Sequence, residues 1–344
     1  MSGACRGLSV LFVTNAWPHE GKPWHGPHSA REVCALRAAG VQVRVLAIDG
    51  QRTRWAYAAA ALELARSNRR VDFDLIHGFM GHAGLFARLH VRTPLVVTYT
   101  GSDLLGDHAA TGVTRKSLAE ATVIRQLARV ASATITCAAH MEDVLPARCR
   151  SRNHVVPTSV PLDLFRPIPQ AQARAELGWP PDERVVLFAA DPARRVKNHP
   201  LALAAHEHLR ATSPDVRLRA SAGVAYERMA LWMSAADALL LTSYSEGSPG
   251  VVKEAMACEL PVVSTPVGDV AAVMRGIPGC HVCAPDAEGL AAGLELALDH
   301  GRSPQARAAV AQFDVGPTAR RVLGIYEQVL RAVPGGGRVL GSRR

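Results

Sequence analysis

The chain has 344 residues, of which 48% are apolar and 20% charged, and its formal net charge is +9. That length exceeds one ordinary core and suits two of about 150 residues each. No run of about 18 apolar residues occurs, which argues against a membrane-spanning helix, and the basic residues are scattered apart from short runs at 66–70 and 148–152, with no motif for nucleic acid.

The first half alternates strand-length apolar runs with helical spacing. Residues 8–14 read as a strand. Residues 27–39 place Ala30, Val33, Leu36 and Ala39 on one helical face and stop at Gly40. A β-branched strand at 41–48, an Ala-rich helix at 53–67 and short strands at 74–77 and 94–99 follow. A helix at 115–130 and strands at 133–137 and 154–157 complete this half. Continuous apolar strands separated by helices predict a parallel sheet covered on both faces.

Pro157, Pro161, Pro167 and Pro169 then punctuate residues 157–169, which cannot sustain a helix or a central strand. The same grammar restarts beyond them. Strands are predicted at 184–190, 216–220, 238–242, 261–264 and 280–283. Helices are predicted at 198–211, 226–234, 250–258, 287–299 and 318–332. The Gly- and Arg-rich tail from Pro334 reads as disordered. Two doubly wound Rossmann-like domains facing a central cleft would bind ligands beyond the carboxyl ends of their strands.

Seven cysteines at irregular spacing favour reduced thiols and a cytoplasmic setting. Cys280 and Cys283 form a lone CxxC read as strand and turn residues, neither redox-active nor metal-binding. The run at 8–13 is too short for a signal peptide, so any membrane contact would be peripheral. No His, Asp and Glu cluster has metal-ligand spacing.

The strongest site signal is SYSEGSPGVVKEAMAC at 243–258. Glu246 lies in the loop after a strand, Gly247, Ser248, Pro249 and Gly250 open a helix, and Glu254 sits one turn inside it. A helix start offers free N–H groups and partial positive charge to a phosphate, and glycines let the backbone approach it. Flanking carboxylates suit paired sugar hydroxyls. By local physics alone the segment reads equally as a plain helix start, with Ser248 as N-cap, Pro249 at the first helical position and Glu254 on a solvated face.

The segment resembles the Glu-x7-Glu motif of the large retaining glycosyltransferase family numbered four, which adopts the GT-B fold. The resemblance continues through 235–270, the opening at 14–40, residues 74–77 and 98–103, and an interdomain-like stretch at 156–167. It runs nearest to bacterial members that build cell-surface polysaccharides such as teichuronic acid. It implies an N-terminal acceptor domain at 1–160, a nucleotide-sugar domain at 161–316 and a C-terminal helix at 317–333 returning toward the first domain.

The resemblance also implies roles. Glu254 would bind the ribose hydroxyls and Glu246 the transferred sugar. Gly247 to Gly250 would offer N–H groups to sugar and phosphate, and Lys197 would hold the diphosphate. Gly26 would let the donor phosphates come close. The family's arginine, five or six residues before the lysine, is replaced by Asp191 and Pro192, so Arg194 or Arg195 would substitute. Thr100 stands where many members carry histidine, beside Asp103 at a matching position. His77, at another frequent position, reads as structural.

The expected activity is metal-independent sugar transfer with retention, with no cofactor beyond the UDP- or GDP-sugar substrate. The acceptor would be a sugar, a lipid-linked group or a small molecule. The basic first half permits docking at the inner face of a membrane. The alternatives are a non-catalytic GT-B homologue that binds a nucleotide sugar or a partner enzyme, and a GT-B epimerase or phosphorylase. A dehydrogenase is disfavoured, because Gly78, Gly81 and Gly84 do not make GxGxxG.

Overall fold

The computed structural model describes residues 7–19, 26–48, 55–67, 73–109 and 112–332. Its first elements are β1 (Ser9–Thr14), α1 (Pro27–Ala38), β2 (Gln42–Ala47), α2 (Trp55–Ser67), β3 (Leu75–Phe79), α3 (Gly81–Ala87), β4 (Leu95–Tyr99) and α4 (Ser102–Leu105). A small hairpin, β5 (His108–Ala109) and β6 (Gly112–Val113), precedes α5 (Arg115–Leu127), β7 (Ala133–Thr136) and β8 (Asn153–Val155). Then come α6 (Gln170–Leu177), β9 (Arg184–Phe188), α7 (His199–Arg210), β10 (Val216–Ala220), α8 (Met229–Ala235), β11 (Ala238–Leu241), α9 (Gly250–Ala257) and β12 (Val262–Ser264). The chain closes with α10 (Val270–Val273), β13 (His281–Val282), α11 (Ala287–His300), α12 (Pro304–Val310) and α13 (Val315–Ala332).

Two parallel sheets result, in the orders β2-β1-β3-β4-β7-β8 and β10-β9-β11-β12-β13. Each belongs to a separate compact unit. One comprises the described parts of Met1–Gly106, Arg115–Pro157 and Val315–Arg344; the other comprises those of Asp107–Thr114 and Thr158–Asp314.

The continuous apolar strands are explained by covering on both faces. In the first sheet, Leu11, Val13, Ile76, Val97 and Tyr99 pack with Ile124 and Leu127 of α5. Their strand neighbours Val10, Phe12, Leu75 and Val96 point the other way, onto Val33 and Leu36 of α1 and Val322, Tyr326 and Val329 of α13. In the second sheet, Val185, Leu187, Leu239, Leu241 and Val262 join α8, α9 and α12. Val186, Phe188, Leu240 and Val263 join α7 and α11.

The structure adds elements that the periodicity does not announce. Helix α3 follows β3 directly, in a stretch whose glycines suggest a breaker. A Cβ on Gly84 would lie 2.7 Å from Leu127 Cδ2, and one on Gly78 would lie 2.5 Å from Gly84 Cα. These glycines let α3 press onto the sheet. The predicted helix at 226–234 begins as a 3-10 turn, Tyr226–Arg228, before α8. Helices α6 and α12, the short α4 and α10, and the hairpin were not anticipated. Residues 53–54 of the second predicted helix and the tail at 333–344 lie outside the described residues.

The proline-punctuated stretch carries no helix until α6. Near its start Val160 forms an isolated parallel bridge with Asp314, and its N–H donates to the Phe313 carbonyl at 2.9 Å. The two ends of the unit's longer segment, Thr158–Asp314, are therefore side by side. Among the described residues no helix is long and apolar enough to cross a membrane.

Candidate active site

The second unit gathers the residues around the Glu-x7-Glu segment. β11 delivers the chain to a loop at 242–249, and α9 leaves from it. The neighbouring turn Arg195–Lys197 is tied to the same strand end. Thr242 Oγ1 donates to the Lys197 carbonyl at 2.9 Å, with the Asn198 carbonyl at 3.0 Å, and Tyr244 N–H donates to the Val196 carbonyl at 2.9 Å. Asn198 takes the left-handed conformation that ends the turn and starts α7, a conformation asparagine tolerates better than most residues.

Lys197 Nζ donates to Glu246 Oε1 at 2.6 Å, and Ser243 Oγ donates to the same oxygen at 2.8 Å. The Lys197 and Glu246 side chains are 12% and 17% exposed, so this pair is largely withdrawn from water. Breaking such a pair by removing one partner leaves an uncompensated charge and costs about 3–5 kcal/mol. Arg194 and Arg195 are exposed, one on each side of the start of the same turn. At the positions where the family carries its arginine, Asp191 Oδ1 accepts the Ala193 N–H at 2.9 Å and Pro192 follows it.

Glu254 is 6% exposed, and Tyr226 OH donates to its Oε1 at 2.7 Å. Tyr226 in turn stands edge-on to Phe165, with 5.4 Å between ring centroids. The solvated-face reading of Glu254 therefore fails. Ser248 is not the N-cap of α9 either; Pro249 is, and it has no side-chain acceptor to offer. Val252 N–H already donates to the Pro249 carbonyl at 3.3 Å, so the amides that the start of α9 leaves to an anion are those of Gly250 and Val251.

The Ser248 hydroxyl is committed elsewhere. It donates to Asp269 Oδ2 at 2.8 Å and accepts from Lys253 Nζ at 2.7 Å and from Thr158 N–H at 3.1 Å. Lys253 Nζ also donates to Asp269 Oδ2 at 2.9 Å, and Lys253 is fully buried. Gly268, beside Asp269, holds φ +60° against the loop, where a Cβ would lie 2.6 Å from the Gly247 carbonyl oxygen. Tyr226, Ser243, Lys253 and Asp269 were not singled out from sequence. For Lys253 a signal exists: apart from Glu254, α9 is wholly small or apolar, so its charges must be buried and paired.

Gly26, Thr100 and Asp103 belong to the first unit. Gly26 caps α1 with φ +72°, and a Cβ there would collide with the Ala16 carbonyl. Local backbone packing alone thus calls for glycine. Asp103 is 4% exposed and accepts N–H groups from Gly81 at 2.7 Å, Gly101 at 2.9 Å and Thr100 at 3.1 Å. Its carboxylate holds the turn after β4 to the start of α3, and burial raises its pKa against those bonds.

His77 is fully buried in mid-strand, between Tyr326 OH at 2.6 Å from Nδ1 and Thr98 Oγ1 at 2.7 Å from Nε2. Burial pushes its pKa down to about 3, while the pKa of Glu32, 3.5 Å from Nδ1, is pushed up to about 8. Two neutral groups, not an ion pair, meet there. Cys280 and Cys283 flank β13 as free thiols, and burial raises both pKa values.

Residues 4–159 match the family described as Glycosyl transferase 4-like domain, and residues 199–300 match Glycosyl transferases group 1. A D-inositol 3-phosphate glycosyltransferase of Acidothermus cellulolyticus is 30% identical over 322 residues, covering 80% of this chain and 71% of that protein. The chain belongs to the family 4 glycosyltransferases of GT-B fold. The protein of the same name from Thermobispora bispora is 29% identical, over 77% of this chain and 73% of its own. Among solved structures, a sucrose-phosphate synthase of Thermosynechococcus elongatus superposes with a TM-score of 0.76 at 20% identity, covering 95% of this chain and all of that one. Anabaena HepE, solved in complex with UDP and glucose, superposes with a TM-score of 0.66 at 16% identity, over 93% of this chain and all of its own. The chain is thus a glycosyltransferase with two Rossmann-like parallel-sheet domains.

Proposed function

We propose that this glycosyltransferase takes its sugar from a UDP- or GDP-sugar and transfers it to an acceptor hydroxyl with retention of anomeric configuration. The observation that carries this reading is the withdrawn Lys197–Glu246 pair beside the uncapped start of α9, with Glu254 buried one turn further. UDP and glucose occupy the HepE structure, which supports a nucleotide-sugar donor here.

In the proposed reaction Lys197 and the first amides of α9 bind the diphosphate, and Glu254 takes the ribose hydroxyls. The bond from the anomeric carbon to the diphosphate oxygen breaks as the acceptor oxygen attacks from the same face. The acceptor proton passes to the departing diphosphate, so no separate nucleophile is required. Lys197 shifts its charge from Glu246 onto the leaving group, and Glu246 becomes free to hold sugar hydroxyls. This charge supply makes a divalent cation unnecessary.

The relatives named for D-inositol 3-phosphate favour a phosphorylated polyol acceptor. A lipid-linked acceptor at the inner face of the membrane, in cell-surface polysaccharide assembly of the teichuronic acid kind, is the setting that the sequence resemblance adds. Turnover with UDP- and GDP-sugars, monitored by proton NMR of the product anomer with and without EDTA, tests the reading. Retention and undiminished rate in EDTA are expected; inversion, or loss of rate restored by a divalent cation, overturns it.

A further inference from the structure

Lys253 has no water contact and no place in the reaction just described, yet it lies under the loop that the reaction uses. Its ammonium meets Ser248 Oγ at 2.7 Å and Asp269 Oδ2 at 2.9 Å. With the Thr158 N–H at 3.1 Å and the bond to Asp269 at 2.8 Å, the hydrogen of the Ser248 hydroxyl and both its lone pairs are in use. Ser248 therefore has one side-chain orientation, and the backbone it carries into α9 is held from below.

The same lysine reaches the chain crossings. Thr158 is the first residue of the second unit after Pro157, and Lys253 Nζ stands 5.3 Å from the centroid of the Phe313 ring, next to the last residue of that unit. Beside Asp269, the Gly268 turn runs so close to the loop that a Cβ there would lie 2.6 Å from the Gly247 carbonyl oxygen. One buried charge thus joins four places: the loop at 247–250, the turn at 268–269, and the two ends of Thr158–Asp314.

A design for stability alone would not use an ion pair here. Apolar side chains of similar volume commonly replace such pairs at no loss or with a gain in stability. The second carboxylate oxygen, Asp269 Oδ1, is buried with no hydrogen-bond partner among the described residues, a further cost to the fold. What the arrangement does deliver is direction: it sets where the amides from Ser248 to the first turn of α9 point.

We propose that Lys253, through Ser248 and Asp269, is a positioning residue that presets the amide cradle for the donor's distal phosphate. The inference rests on the donor reading given above. It separates the phosphates from the rest of the nucleotide, because Glu254 and Tyr226 stand one turn away, on the part assigned to the ribose.

The test is calorimetric titration of the full chain with UDP, GDP and ADP and with their monophosphates, for wild type, Lys253→Met, Asp269→Asn and Glu254→Ala. Lys253→Met leaves Asp269 without its partner and is expected to lower the melting temperature, and the folded fraction is expected to bind the preferred diphosphate about tenfold more weakly, with the matched monophosphate nearly unaffected. Asp269→Asn, which retains the shape of the side chain, repeats the pattern if Lys253→Met fails to fold. Equal losses for diphosphate and monophosphate, or none for either, overturn the positioning role. If Glu254→Ala also binds every nucleotide like wild type, or wild type binds none, the donor reading itself falls. If only Glu254→Ala loses binding, that reading stands and the inference about Lys253 fails.

Discussion

Both sheets bury ionisable side chains, but at different heights along their strands. In the first unit His77 lies in the middle of β3, with its polar atoms met by Tyr326 and Thr98 and the neutral Glu32 beside it. Asp103 is filled by three backbone N–H groups. In the second unit Lys197 and Glu246 sit past the ends of β9 and β11 and hold each other, with no other partner of the ammonium among the described residues. Burial alone therefore does not mark chemistry. A buried group whose bonds are all to the fold serves the fold; a charged pair at the carboxyl ends of parallel strands can exchange its partner for a ligand.

The largest effect that could break this contrast is on turnover. Lys197→Ala is expected to lower kcat by about 10²–10³-fold, the range for removing one group that stabilises developing charge. Rates within a few-fold of wild type would place the leaving-group charge elsewhere, with Arg194 and Arg195 next in line. Glu254→Ala comes second. Ribose hydroxyls bound to a charged acceptor are worth about 1.5–3 kcal/mol, so nucleotide affinity falls by about ten- to a hundredfold while the unliganded melting temperature changes little. An unchanged dissociation constant by titration would remove Glu254 from the donor site.

Asp103→Ala sharpens the other side. It leaves three buried N–H groups without their acceptor and is expected to lower the unfolding free energy by about 1–3 kcal/mol in a urea melt. Specific activity per folded molecule should stay near wild type. A large loss of kcat in fully folded protein would return Asp103 to the chemistry that its sequence position suggests.

The remaining effect is a pH dependence confined to stability. His77, with its pKa near 3 in the fold and an ordinary value of 6.5 when unfolded, makes stability rise from about pH 3 to 6.5, because the unfolded chain binds the extra proton. Glu32 has the opposite sign: its pKa near 8 against 4.5 makes stability fall between those values, because the fold retains the proton. Between 4.5 and 6.5 the two oppose each other, and outside that window each acts alone. Glu32→Gln should flatten the limb above pH 6.5 in thermal melts, and an unaltered limb would show that Glu32 is ionised in the fold.

The succession of strands along both halves is legible because parallel strands covered on two faces are nearly all apolar, and the strand expected at 216–220 coincides with β10. The Glu-x7-Glu segment and Lys197 were legible by resemblance, and the structure brings Lys197 and Glu246 into contact. Helix α3 was hidden because its glycines serve close packing on the sheet, a requirement set by Leu127, forty-three residues beyond Gly84. Ser248 looked like a cap because Ser before Pro-Gly usually is one. Its true partners, Thr158, Lys253 and Asp269, are set by three different elements and have no signature in local spacing.

The last helix has a consequence for the order of events at the ribosome. The wall of the first sheet formed by Val322, Tyr326 and Val329 belongs to α13, which is translated after the whole of Thr158–Asp314. The first half must therefore wait, one flank uncovered, while the second half is made and can fold, its own two ends already meeting at Val160 and Asp314. A nascent chain ending at Asp314, just before α13, would leave the later-made half whole and the earlier-made half open.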